Sequence, residues 1–371
     1  MKIMKKIKIL HVINGMGSGG AEMMIMNWYR NIDRDKYSFD FLLRSNVNIY
    51  EQEIEDYGGR IYYTDKFPRH IWRNYKETKK FFATHYYDVV HIHANALIYL
   101  KAAIEAKNNK IPIIIMHSHN TSTAKKIYIP IHKLNMIRIN KYANVFLACS
   151  KKAGTWMFGQ KKYQVIENAI DTRMFNFYPE ERIKLRYRYG LANSYVVGHV
   201  GRFLPSKNHS FLIDIFVEIL KIKENSVLIL IGEGEGKKEI ENKVKKLGIE
   251  SKVLFLGLRT DVAKLEQIMD VFIFPSFFEG LLVSLIEAQF TRLPCVVSDN
   301  ISHEVQMNNA ISFLALEKSA KDWAEEAIKI SNRCNRGEIL FNQNSRNYQI
   351  QEIIKKLEDI YLKRYLLEEI L

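Results

Sequence analysis

Ile9-Leu10-His11-Val12-Ile13-Asn14-Gly15-Met16-Gly17-Ser18-Gly19-Gly20-Ala21-Glu22 reads as a strand, a glycine loop and the start of a helix. The apolar run suits a strand covered on both faces. The glycines let the backbone turn closely into a helix whose first N–H groups can face an anion. The alternation begun here continues along the chain. Strands are expected at 7–13, 39–43, 60–63, 88–93, 112–117, 145–149 and 164–166, with helices such as 21–31 and 96–107 between them. The rhythm restarts with strands at 195–200, 226–231, 253–256, 271–274 and 294–297 and helices at 210–223, 237–247, 262–269, 282–290 and 319–330. Short Val/Ile/Leu-rich strands alternating with helices imply parallel sheets with helices on both faces, so the fold class is α/β with two doubly wound domains in series. The polar, basic break from 171 to 194 reads as the inter-domain connection, and 348–371 as a long amphipathic helix.

A chain of 371 residues, 47% hydrophobic and 26% charged, suits two globular domains and excludes disorder as the main state. No apolar run approaches the length of a membrane span, and Ile9–Ile13 is too short for a signal-peptide core. Cys149, Cys295 and Cys334 are widely spaced and odd in number, which supports neither a disulfide framework nor a zinc site and suits a reducing cytoplasm. The net charge is +14, and it is unevenly placed: residues 1–172 carry 27 basic and 14 acidic side chains, residues 173–371 carry 28 and 27. Such a field attracts nucleic acid, an acidic membrane or a phosphorylated small molecule. Basic and apolar residues interleave from Lys66 to Phe82 and from Lys125 to Lys141, as in segments that lie on anionic lipid. The plainer reading packs the aromatics inside and leaves the lysines in solvent.

Four segments carry chemistry. Gly15, Gly17 and Gly20 have dinucleotide-loop spacing, and Asp40 follows at the distance of a ribose-binding acid, so a dehydrogenase stays open on pattern. His91, His93, His117 and His119 sit in pairs at strand ends. Residues i and i+2 share a face, so zinc is conceivable, but no Asp, Glu or Cys joins them and polar strand ends facing a ligand are preferred. Gly201-Arg202 and Lys207 place two cations five apart at a strand–helix turn, a clamp for a diphosphate. Finally, Glu279 and Glu287 flank Gly280-Leu281-Leu282-Val283. Eight helical residues rise about 12 Å, too far for two carboxylates to share one glycosidic bond. They suit two parts of one extended ligand, with phosphate on the N–H groups near Leu282 and Val283 and a ribose diol on Glu287.

These segments, with His117-Ser118-His119-Asn120, Glu167-Asn168-Ala169 and Pro294 to Asp299, are collinear over almost the whole chain. Together they resemble the family 4 retaining glycosyltransferases. The resemblance implies the GT-B arrangement: two Rossmann-like domains, 1–172 for the acceptor and 173–345 for the donor, facing across a cleft, with 346–371 crossing back to the first. It implies that Arg202 and Lys207 hold the donor diphosphate, Glu287 the ribose and Glu279 the donor sugar, with His117 at the reaction centre. The donor side is expected at Glu287, Gly280, Leu281, Leu282, Val283, Gly201 and Leu258. The acceptor side is expected at Gly17, Gly19, Gly20, His119 and Asn168. Neither metal nor cofactor is expected; the partners are a nucleotide sugar (UDP by preference) and a sugar or lipid-linked acceptor, as in relatives that build surface polysaccharides. The protein is expected in the cytoplasm at the inner face of an anionic membrane, without nucleic acid. Many relatives carry Gly where Arg292 stands and Pro-Asn-Gly where Glu167-Asn168-Ala169 stand. The competing readings are a nucleotide-sugar epimerase of the same architecture and a basic RNA- or membrane-binding protein without catalysis.

Overall fold

The strand that opens the chain forms at Ile7–Ile13 (β1), where the apolar run places it. The structure, a computed structural model, describes residues 6–17, 19–123, 125–279 and 282–362. In chain order β1 is followed by α1 (Gly20–Asn31), β2 (Tyr37–Leu43), α2 (Glu51–Asp56), β3 (Ile61–Tyr63), α3 (Ile71–Thr84), β4 (Val89–Ala94), α4 (Lys101–Asn108), β5 (Ile113–Ser118), α5 (Ile129–Arg138), β6 (Val145–Ala148), α6 (Lys151–Phe158) and β7 (Gln164–Val165). The strands form one parallel sheet in the order β3-β2-β1-β4-β5-β6-β7. One face of it packs on α1, the other on α3, α4 and α6.

The second unit runs through α7 (Pro179–Arg188), β8 (Tyr195–Val200), α8 (His209–Ile222), β9 (Ser226–Ile231), α9 (Lys237–Lys246), β10 (Val253–Phe255), α10 (Val262–Ile268), β11 (Val271–Phe274), α11 (Val283–Phe290), β12 (Cys295–Ser298), β13 (Ile311–Leu314) and α12 (Ala320–Arg333). Its parallel sheet has the order β10-β9-β8-β11-β12-β13. The chain then ends its described part in α13 (Ile350–Leu362), whose Ile350, Ile353, Leu357 and Tyr361 are buried in the first unit's core with α1 and β1. By packing, the units are Met1–Ala169 with Ile350–Leu371, and Ile170–Gln349. In both sheets the strand order reverses next to the first strand, between β1 and β4 and between β8 and β11. Ligands of open α/β sheets bind outside the carboxyl ends of strands at such a point.

Several local expectations change. Helix α4 starts at Lys101 rather than 96, because the preceding backbone is held by α5: Leu97 N–H donates to His132 Nδ1 at 3.0 Å, and Asn135 Nδ2 donates to the Leu97 carbonyl at 2.7 Å. The polar break at 171–194 contains α7, and its polarity is the hydrogen bonding of Arg182 and Arg186 to Asp270 and to the carbonyls that end α10. Leu185 buries in the same unit, so this segment is packed rather than a free linker. Strand β13 was not expected: four residues paired on one side only leave little period to read. Residues 363–371 of the expected final helix lie outside the described residues. Arg292, where many relatives carry Gly, has φ +54, a left-handed position that explains the glycine elsewhere. Here its guanidinium donates to the Gly337 carbonyl at 2.9 Å.

Candidate active site

At the switch point of the second unit, the loop after β8 meets the loop after β11. Gly232 has φ +142, and a Cβ there would stand 2.1 Å from the Gly201 carbonyl oxygen, so the glycine lets the β9 loop lie directly against the β8 loop. The loops after β8 and β11 are then joined by Phe277 N–H donating to the Ser206 carbonyl at 2.8 Å. That junction brings Lys207 Nζ to 2.7 Å from Glu279 Oε1 and 2.8 Å from Oε2. The ion pair is nearly sealed, with side-chain exposures of 14% and 7%. The ammonium also stands 4.9 Å from the Phe274 ring centroid, and the lysine stem passes over Gly201. Arg202, on the same loop after β8, is exposed. Leu282 caps α11 without a side-chain hydrogen bond, and Val283 is the first helical residue, so no side-chain cap closes that end of α11. Gly280 and Leu281 lie outside the described residues.

Glu287, one turn into α11, has a different neighbour. It lies beside Glu266 of α10, close enough that its charge raises the Glu266 proton affinity. Burial pushes Glu287 up to about 8 and Glu266 well above the usual carboxylate range. Glu266 accepts from Thr291 Oγ1 at 3.1 Å while its other oxygen has no partner. Beneath them Arg336 is buried, donating to the carbonyls of Glu266, Gln267, Met269 and Thr291 at 2.6–3.2 Å and lying 4.2 Å from the Phe177 ring. Its charge is spread over the carbonyls that end α10 and α11, the position a helix dipole favours for a cation.

In the first unit Gly19 caps α1, and a Cβ there would fall 2.3 Å from Glu22 Oε2. The Glu22 carboxylate thus covers the helix start that the sequence offered to an anion; burial raises its proton affinity and its own N–H lowers it again. Gly20 is the first residue of α1, and Gly17 packs toward Val47. Asp40 is mid-strand in β2 and is consumed by Arg60 N–H and Tyr87 Oη, each at 2.9 Å. A dehydrogenase needs that acid free at the strand tip; the tip here leads into Arg44.

The histidines stack at the first switch point. His11 of β1 stands beside His91 of β4, and His93 beside His117 of β5. Two hydrogen-bonded chains result. In one, His119 Nε2 meets His93 Nδ1 at 2.8 Å and His93 Nε2 meets His11 Nδ1 at 3.0 Å. In the other, His117 Nδ1 meets His91 Nε2 at 3.1 Å and His91 Nδ1 meets Tyr361 Oη of α13 at 3.1 Å. Burial takes His11 and His119 down to about 3 and His91, His93 and His117 well below the ordinary value, so all five rings are neutral at physiological pH. The chain runs in one of two directions: with Tyr361 Oη donating to His91 Nδ1, His91 Nε2–H donates to His117 Nδ1 and the His117 proton sits on Nε2; with Tyr361 Oη accepting, His117 Nδ1–H donates to His91 and His117 Nε2 is an acceptor. That Nε2 is buried without a partner, as are His119 Nδ1 and Asn168 Oδ1. The trios His11/His91/His93 and His93/His117/His119 each bring ligand nitrogens within 4.8 Å of one another. An ion there would have to break ring-to-ring hydrogen bonds that already satisfy both nitrogens of His91 and His93.

The structure therefore unites Gly201, Lys207 and Glu279, and separately Gly17, Gly19 and Gly20, and His117 with His119. Glu287 interacts with Glu266, and Leu258 is 72% exposed after β10. Sequence reasoning missed Glu266, Arg336 and Tyr361, each distant in sequence from the group it serves. A buried Glu and Arg among apolar neighbours is the only signal they carry.

Comparison with known proteins identifies the family. Residues 18–173 match the model described as Glycosyltransferase Family 4, and residues 182–348 the model described as Glycosyl transferases group 1. The protein EpsF of Bacillus subtilis (strain 168) is 33% identical over 338 residues, covering 86% of each chain. The Escherichia coli UDP-Gal:alpha-D-GlcNAc-diphosphoundecaprenol alpha-1,3-galactosyltransferase is 23% identical, covering 96% of this chain and 97% of that one. Among solved structures, Anabaena Alr3699/HepE in complex with UDP and glucose superposes with a TM-score of 0.74 at 19% identity, over 95% of this chain and 98% of that one. With both halves matched in order and two parallel α/β units in place, the chain belongs to glycosyltransferase family 4 and has the GT-B fold.

Proposed function

We propose that the protein moves a sugar from a nucleoside diphosphate, UDP by preference, to a hydroxyl of a lipid-linked or growing surface glycan, with retention at the anomeric carbon. The observation that carries this is the sealed Lys207–Glu279 pair at the second switch point, with an exposed Arg202 on the loop after β8 and an α11 whose N-cap Leu282 makes no side-chain hydrogen bond. The UDP complex of HepE and the UDP-Gal and diphosphoundecaprenol in the name of the E. coli relative support the donor and the acceptor class. In the reaction the bond from the anomeric carbon to the diphosphate oxygen breaks and the bond to the acceptor oxygen forms on the same face. The acceptor proton passes to the leaving diphosphate. Arg202, Lys207 and the α11 N–H groups hold the charge that develops there, which needs no metal ion. Glu279 exchanges its hold on Lys207 for the sugar hydroxyls and orients the donor sugar; His117, in the first unit, is assigned to the acceptor. A thermal-shift panel of nucleotide sugars tests the reading, followed by NMR of the product. A UDP-sugar is expected to raise Tm, since ligand at a hundredfold excess over Kd adds about 2.7 kcal/mol. Turnover that isomerises the donor without any acceptor would establish the epimerase instead.

The ribose contact has a pH signature. A diol donating to Glu287 favours the ionised carboxylate, while burial holds its proton on until about pH 8. Donor affinity is expected to rise about tenfold between pH 7 and pH 9 and then level off, and Glu287→Gln to flatten that slope. Isothermal titration across the range measures both.

Membrane contact is part of the same proposal. Trp72 is 87% exposed on α3 among Arg69, Arg73 and Lys76. Ile127, Ile131, Leu134 and Ile137 form an exposed apolar row with Lys126, Lys133, Arg138 and Lys141 around it. Phe81 and Phe82 are buried, so the core takes only part of the first basic stretch's aromatics. No helix among the described residues is long and apolar enough to cross a membrane. The basic face is expected to hold anionic vesicles and release neutral ones. Co-sedimentation indifferent to lipid charge would remove the membrane from the proposal.

A further inference from the structure

Arg44 follows β2 at the carboxyl edge of the first sheet, and its loop is stitched to the glycine loop. Arg44 N–H donates to the Asn14 carbonyl at 3.0 Å, Met16 N–H to Val47 at 2.7 Å, and Ile49 N–H to Met16 at 2.8 Å. Beside this seam lies a cavity of about 670 Å³ lined by Arg44, Ser45, Lys66 and Arg73 among others. That is the size of a small-ligand site.

The charges lining the cavity are unequally matched. Asp65 is already committed, accepting from His70 Nδ1 at 2.9 Å and pairing with Arg73 at 3.2 Å. Glu77 accepts from Asp65 N–H at 2.7 Å. Arg44 has no carboxylate partner among the described residues. Its guanidinium lies 4.3 Å from the centroid of the Tyr99 ring, which is itself fixed by a 3.0 Å hydrogen bond to Thr78. Its Nε is sealed from solvent with no acceptor, as is Ser45 Oγ next to it. Burial without a counter-charge pulls the guanidinium below its usual proton affinity. A desolvated, unpaired cation with an idle donor is costly, and an oxyanion relieves both costs at once. A guanidinium is a planar fork, the geometry that two oxygens of a phosphate or carboxylate match, and the Tyr99 ring 4.3 Å away fills one side of it.

We infer that Arg44, backed by Tyr99 and aided by Ser45 and Lys66, forms an anion subsite for a phosphoryl or carboxylate group of the acceptor. Assigning the anion to the acceptor rests on the proposed function; the binding of an anion does not. The cavity lies in the first unit, beside the glycine loop, whereas the donor groups Lys207, Glu279 and Glu287 all belong to the second.

The full chain labelled with ¹⁵N-arginine tests it directly. The Arg44 Nε–H resonance is identified by its loss in Arg44→Gln, and pyrophosphate or malonate is titrated in. The resonance is expected to move saturably, and Lys66→Ala, an exposed change that leaves the fold alone, to weaken the titration about threefold. A response to pyrophosphate over malonate makes the group a phosphoryl; the reverse makes it a carboxylate. No movement with either anion, or movement of other arginines only, overturns the inference. A protein that turns over no nucleotide sugar while Arg44 responds loses the proposed function and keeps this site. Turnover with an unresponsive Arg44 does the opposite.

Discussion

Lys207→Ala is expected to lower kcat about 10²–10³-fold at saturating donor, the scale of removing one preorganised group from a developing negative charge. The ion pair makes the experiment more informative than an ordinary alanine scan. Both oxygens of Glu279 lie within hydrogen-bonding reach of the ammonium, and both side chains are nearly buried. Removing Lys207 therefore strands a carboxylate, and breaking a buried pair costs about 3–5 kcal/mol of stability. Loss of activity could then be loss of fold. Lys207→Ala/Glu279→Ala separates the two, because it deletes the stranded charge as well. The double variant is expected to recover most of the lost Tm and none of the lost kcat. Recovery of turnover along with Tm would mean that Lys207 only balances Glu279.

Arg336→Met is expected to be the most destabilising single change distant from the ligand-facing loops, at about 4 kcal/mol by denaturant unfolding. Methionine fills a similar length, so packing is nearly kept. What goes is the cation that accounts for four carbonyl hydrogen bonds at the ends of α10 and α11. Arg182 still donates to two of those carbonyls, Gln267 and Met269, while the carbonyls of Glu266 and Thr291 lose their donor in the interior, where water does not replace it. Glu266 loses its nearby counter-charge at the same time, while the charge of Glu287 beside it stays. A comparison at Arg333, in the last turn of α12, is expected to shift stability by less than about 0.5 kcal/mol. Equal effects at the two arginines would show that the buried one is not carrying those carbonyls.

Some of this was open to reading in the residues themselves, and some was not. β1, β8, β9 and β11 form at the positions their apolar runs mark. Burial on both faces writes a local pattern that needs no partner to be seen. α12 starts at Ser319 because that serine and Asp322 cap each other, again a local signal. The 171–194 segment was opaque for the opposite reason. Its arginines look like solvent-facing charge until Asp270 and the end of α10, some eighty residues on, are folded against them.

The sequence alone determined the strand–helix alternation and the two-unit parallel α/β class, since each depends on side chains close together along the chain. Only the tertiary structure decided that Glu22 closes the first helix start, that Lys207 rests on Glu279, that Glu287 stands beside Glu266, that Tyr361 joins the histidine chain ending at His117 and that Arg44 has no carboxylate partner among the described residues. Proton positions, ion-pair partners and unmet charges are set by which groups meet after folding and how much water is excluded between them, and neither quantity is written in local order.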